Sequence, residues 1–155
     1  MYQGMLHLHS FLRWVILILL LVAVYRSFAD RNRAFGNGHK KTGLFLMITA
    51  DLMLLVGVYQ WITGAWGLKS IQEHGFGNVM KNPPLRFFAV EHFIGMLVAI
   101  ILIHIGYSFS KKNVADGRKH KRTILLYGLA LLIILISIPW PFREVGAGRS
   151  WFPGM

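Results

Sequence analysis

His9 and Arg13 stand four residues apart in the opening run His7-Leu8-His9-Ser10-Phe11-Leu12-Arg13-Trp14. On a helix that spacing puts an imidazole and a guanidinium on one face, about 40° and about 6 Å apart. A second candidate imidazole, His92, heads Glu91-His92-Phe93-Ile94-Gly95. Counted from the basic residue that follows each segment, His9 lies about 25 Å above Arg26 and His92 about 28 Å above Lys111. The two imidazoles therefore share a level on separate helices. A haem b held without covalent links needs two nitrogen ligands reaching iron from opposite faces and cations beside its propionates. His9 and His92 are the candidate ligands, Arg13 and Arg86 the candidate propionate partners, and Gly95, one turn below His92, candidate room beside the ring. The same residues also read as interfacial histidines wetted by headgroup water, with Arg13 snorkelling or paired to Glu91.

Asp51 and His104 form a second constellation. Asp51 is ten residues from Lys41 and His104 seven from Lys111, or about 15 and about 10 Å from the same basic edge. Both are expected inside the inner half of the bundle, where they meet if their helices touch. Ionisable residues at such depth are functional candidates by default: a proton path, or a polar pair for a quinone, with Tyr59 or Tyr107 nearby. A hydrogen bond that only fixes helix register is the other reading. Glu73, His74 and His7 could contribute to an outer copper or zinc site, although their spacing matches no metal motif. His39 and His120 lie in basic connections and are expected to add positive character near lipid headgroups.

The elements that must position these residues follow from composition. Of 155 residues, 55% are hydrophobic types and 15% charged, which excludes an ordinary soluble domain. Four apolar stretches predict transmembrane helices over residues 8–28, 43–67, 86–110 and 122–140, each near the ~20 residues a bilayer core demands. The fold class is thus all-α, an integral-membrane four-helix transmembrane bundle forming a single domain, 1–155, with an interfacial aromatic tail over 141–155. The net charge of +11 would suggest nucleic acid in a soluble chain. Here most cations fall in the first and third connections, so the positive-inside rule explains them as cytoplasmic loops and leaves both termini outside. Residues 68–86, with Gly75, Gly77 and the pair Pro83-Pro84, read as irregular chain ending at a helix start. Ala50, Gly57 and Gly64, seven apart, and Gly95 with Ala99 mark close helix contacts or, compatibly, room left for a flat cofactor. The runs 16–22 and 124–138 are expected to face lipid.

Arg26 follows the first apolar run rather than preceding it, so that helix does not read as a cleaved signal. The absence of cysteine excludes disulfides, a thiolate nucleophile, an iron–sulfur cluster and covalently attached haem. No nucleotide-binding loop, nucleophile triad or metallohydrolase motif is present.

The opening His-x-His-Ser-x-x-Arg-Trp, the four-helix length and Glu91-His92 resemble a group of small bacterial membrane proteins described as cytochrome b-like. The resemblance implies an electron-transfer protein or respiratory-complex subunit of the bacterial inner membrane, binding one haem b near the outer face through His9 and His92. It further implies a larger membrane complex as partner. Di-haem bundles commonly carry two histidines about 14 residues apart on one helix, whereas His92 and His104 are 12 apart and about 120° out of line, so a second haem is not expected. A cofactor-free accessory subunit of a larger complex is the alternative.

Overall fold

The computed structural model describes residues 2–146 and 150–151. Four long helices dominate: α1 (Tyr2–Ala29), α2 (Asn37–Thr63), α6 (His92–Ser110) and α7 (Asp116–Ser137). Each, taken with its immediate helical flanks, is long and apolar enough to cross a membrane. Three short helices, α3 (Leu68–His74), α4 (Phe76–Lys81) and α5 (Pro83–Arg86), lie between α2 and α6, and a π-helical turn, Phe87–Glu91, joins α5 to α6. The described residues contain no strand.

The long helices form a closed square in which α1 packs on α2 and α7, and α6 packs on the same two. Their inward positions recur at the spacing of a helical face: Leu12, Ile16 and Leu20 on α1, Leu46, Ala50 and Met53 on α2, Ala99 and Ile103 on α6, Tyr127, Ala130 and Ile134 on α7. The small residues of α2 do what their seven-residue repeat predicts. Ala50 is fully buried, Gly57 sits against His9, and Gly64 against Tyr2. The expected lipid-facing runs are divided instead. Ile18, Leu21 and Val22 point outward while Ile16, Leu17 and Leu20 point into the core, and Leu132 and Ile136 are exposed while Ala130 and Ile134 are not. Each residue turns about 100° on a helix, so no unbroken run can keep one face.

Local stereochemistry sets the helix ends. Gly36 precedes α2 and Gly64 follows it. Asn82 caps α5, its side chain accepting from the Leu85 amide at 3.2 Å, with Pro83 in the first helical position. Residues 68–86, expected to be irregular, instead fold into α3–α5. Ser70 and Val79 there are fully buried, so the connection is a packed cap over one end of the square.

The basic connections at the other end are also more ordered than their composition suggests. His120 is buried and the His39 side chain is only 7% exposed, neither turned to headgroups: their rings meet at 4.9 Å, and Phe35 packs on both. His39 reaches Asp30 at 3.3 Å and His120 the Arg33 carbonyl at 3.2 Å. The loop after α1 thereby folds back over α2 and α7, and Phe35, 6% exposed, needs the two imidazoles as its walls. In the tail, Glu144–Gly146 forms one 3-10 turn and Trp140 stacks on Phe142 at 6.0 Å. The remainder of the expected interfacial segment, apart from residues 150–151, lies outside the described residues.

Candidate functional site

The cap end of the square holds the two level-matched histidines. His9 on α1 and His92 at the start of α6 face one another with ring centroids 6.3 Å apart and planes at 51°. Level and approach on separate helices are as the residue count requires. A metal–nitrogen bond of about 2 Å, with the nitrogen about 1.1 Å from its ring centre, puts two imidazoles on opposite sides of one metal with centroids roughly 6 Å apart. The 6.3 Å separation would leave room for one metal ion held by a nitrogen of each ring.

The orientation of His92 is set by the end of α7. Its Nδ1 lies 2.6 Å from the Ser137 carbonyl oxygen. A carbonyl only accepts, so Nδ1 carries the proton and Nε2 presents its lone pair, the tautomer of a ligating imidazole with an outer hydrogen bond. The carbonyl is available because α7 terminates there: Pro139 disfavours helical backbone at Ile138, whose ψ is 132°. Position 141, whose amide would close the next helical bond to Ser137, is also proline and has no N–H. Pro139 likewise leaves the Leu135 carbonyl without a helical donor and Trp140 Nε1 donates to it at 2.8 Å, while Arg143 donates to Ile136 and to Ile138.

The π-helical turn before α6 has a second effect. It places the His92 amide on the Phe87 carbonyl, five residues back, and the Ala89 carbonyl accepts from Trp61 Nε1 of α2 at 2.9 Å. Trp61 in turn stacks on Phe93 at 4.9 Å and 25°. One extra residue in the helix thus ties the His92 end of α6 to α2; π-turns of this kind concentrate at functional sites.

Beside the imidazoles runs an open cavity of about 160 Å³. Its walls include His9, Ser10, Arg13, Met53, Gly57, Trp61, Phe88, His92, Phe93, Met96 and Ile134. They are apolar and aromatic with a few convergent polar groups, the composition of a site for a flat, largely apolar group. Gly57 forms one wall, where an added Cβ would lie 3.5 Å from His9 Cε1. The sequence marks Gly57 as a helix contact, with room for a flat cofactor as the compatible alternative, and does not single out Trp61, Phe93 or Met96. Their signal was available in principle, since Gly57 and Trp61 lie near the level of His9 by the same count.

The remaining predicted residues are distributed differently. Arg13 lines the cavity, donates to Ser10 Oγ at 3.2 Å and to the Trp151 carbonyl, and lies over the Trp14 ring. Arg86 turns away from the imidazoles: its Nε donates to Glu91 at 2.6 Å and its Nη1 to the Met80 carbonyl at 3.1 Å, because the intervening π-turn brings positions 86 and 91 together. Glu91 is therefore the partner of Arg86, not of Arg13. Gly95 does not border the cavity. Its Cβ position points at Ser137 on α7, which lets the end of α7 come close enough for its carbonyl to reach His92. His74 Nδ1 is hydrogen-bonded to the Ser70 carbonyl at 3.1 Å and His7 is exposed. Among the described residues no three ligating side chains converge on a metal position, so the outer copper or zinc site of His7, Glu73 and His74 is not assembled.

Asp51 and His104 do meet, with His104 Nε2 and Asp51 Oδ1 2.7 Å apart across the α2–α6 seam. They are not inside the bundle, however. Both side chains are more than 40% exposed on its outer surface, because the inward positions beside them belong to Ala50 and Ile103, both fully buried. No family model, no curated protein and no solved structure matches this chain.

Proposed function

We propose that this chain is an electron-transfer protein of the bacterial cytoplasmic membrane, or a subunit of a respiratory complex, that holds one haem b between His9 and His92. The site lies at the outer face if the basic connections are cytoplasmic. The observation that carries the reading is the 6.3 Å separation of two imidazoles on different helices, with the orientation of His92 already set by the Ser137 carbonyl. Haem would supply one-electron exchange. The chain would supply the two nitrogens, an apolar wall of Trp61, Phe93 and Met96 that excludes water, and Arg13, the one arginine or lysine at the cavity wall among the described residues, for a propionate. A cofactor-free accessory subunit is the competing reading, favoured by the fact that Arg13 and Arg86 already have partners within the chain.

The pyridine haemochrome spectrum of the purified full chain decides between them. One haem per chain is expected, with low-spin absorbance lost in His9→Ala and in His92→Ala while helix content by circular dichroism is unchanged. His7→Ala should retain it. A wild-type chain that purifies colourless in mild detergent, from cells supplied with haem precursors, overturns the proposal.

A further inference from the structure

The Asp51–His104 pair is placed where a membrane-spanning bundle should not leave it. Asp51 lies ten residues, about 15 Å, from the basic edge at Lys41, close to the middle of a hydrocarbon layer about 30 Å thick. Its side chain is 44% exposed and that of His104 43%, and the surrounding surface is Ile48, Leu52, Leu55, Ile101 and Ile105. Lipid tails offer nothing to hydrogen-bond at that depth, and exposed polar groups there are costly.

The polar atoms left over are specific. With His104 Nε2 and Asp51 Oδ1 sharing a proton, His104 Nδ1 and Asp51 Oδ2 have no hydrogen-bond partner among the described residues. An imidazole Nδ1–H is a hydrogen-bond donor and a carboxyl Oδ2 an acceptor. The pair therefore offers one donor on α6 and one acceptor on α2 at the same depth.

A two-fold axis along the membrane normal, passing beside this seam, places α2 of one copy against α6 of the other and the reverse. Asp51 then faces His104 of the second copy, twice, at identical depth. No other copy arrangement is required for the donors and acceptors to match. We propose that the α2–α6 face is the interface of a parallel homodimer, held by reciprocal hydrogen bonds from His104 Nδ1–H to Asp51 Oδ2 across the axis. In a bilayer, where apolar surface gives little preference for protein over lipid, such polar contacts and close packing are what select a helix face.

The chain has no cysteine, so cross-linking reads the interface directly. Leu55 lies four residues from Asp51 and Ile101 three from His104, both toward the cap end, about 6 and about 4.5 Å along their helices. Full-length Leu55→Cys and a differently tagged Ile101→Cys, co-expressed and oxidised in membranes, should form a mixed disulfide dimer. The pair Leu21→Cys with Leu132→Cys, on α1 and α7, should not. In dilute lipid vesicles, donor- and acceptor-labelled wild-type chains should show energy transfer, and Asp51→Leu/His104→Leu should weaken dimerisation at least tenfold at unchanged helix content. Cross-linking no greater than in the α1–α7 control overturns the proposal, as does undiminished energy transfer in the double-leucine variant. A monomeric wild type that carries a quinone or a different subunit, lost on the double substitution, also overturns it.

Discussion

Gly57 gives the sharpest test of the cavity, because its effect should depend on size in steps. A methyl group at position 57 would lie 3.5 Å from His9 Cε1 and 3.9 Å from Nδ1, ordinary van der Waals contact. Gly57→Ala should therefore leave His9 in place and add helix propensity, with a gain of up to about 1 kcal/mol. Valine carries two further carbons about 1.5 Å beyond Cβ, held by its stiff side-chain torsion. A carbon directed at the ring would be left about 2 Å from it, against the roughly 3.5 Å that two carbons need. His9 must then move by about 1.5 Å or rotate off its axis. Overpacking of this kind costs about 1–3 kcal/mol, and if it falls on the liganded state, haem affinity drops roughly fivefold to 150-fold. The assay is a haem titration of the apo chain in mild detergent, followed at the Soret band, with a thermal melt of each variant. Gly128→Val on α7 is the control, because nothing lies within 4 Å of a Cβ there. Equal haem affinity in Gly57→Val and Gly57→Ala would refute the placement of Gly57 against a ligating His9.

Three further outcomes are expected. Trp61→Phe should keep the stack on Phe93 but lose the donor to the Ala89 carbonyl, costing about 1 kcal/mol in detergent denaturation and loosening the entry to α6. His120→Ala should cost about 2–3 kcal/mol, measured in the same way, because it empties a fully packed position between Phe35 and His39 and leaves the Arg33 carbonyl without its donor. Cysteines placed at Asn37 and Asn113 should be protected from impermeant reagents on intact cells while one at Asn78 labels readily; labelling at the first two positions would reverse the orientation.

The contacts legible in the sequence are those governed by arithmetic along a helix. His9 with His92, and Asp51 with His104, follow from counting rises above the same basic edge that agree to within a turn. What arithmetic does not convey is which way a helix faces when both of its sides are apolar. The residues beside Asp51 carry no polar stripe to mark an outer surface, so its exposure depended on Ala50 and Ile103 occupying the inner positions. The engagement of Arg86 with Glu91 was hidden for a related reason: five residues is not an α-helical neighbour spacing, and the π-turn that makes it one has no obvious composition. Gly95 was recognised as a point of close approach, but the neighbour it admits, Ser137 rather than a cofactor, depends on the packing of α7. The burial of His39 and His120 needed the loop around Phe35 to close, a tertiary event that a basic composition argues against.

The tie between His92 and Ser137 has a consequence for how this protein would look to a genetic survey. The accepting atom belongs to the backbone, and it is free because Pro139 turns Ile138 out of the helix and Pro141 brings no amide. Replacing Ser137 by alanine leaves that oxygen where it is, so a side-chain scan would pass over the group that aims the imidazole. The dependence surfaces instead at Pro139 and Pro141 together. Replacing both would let α7 wind on past Ile138 and put the amide of residue 141 on the same carbonyl. A pair of substitutions that reads on paper as the repair of a broken helix would then disorient the histidine at the far side of the contact.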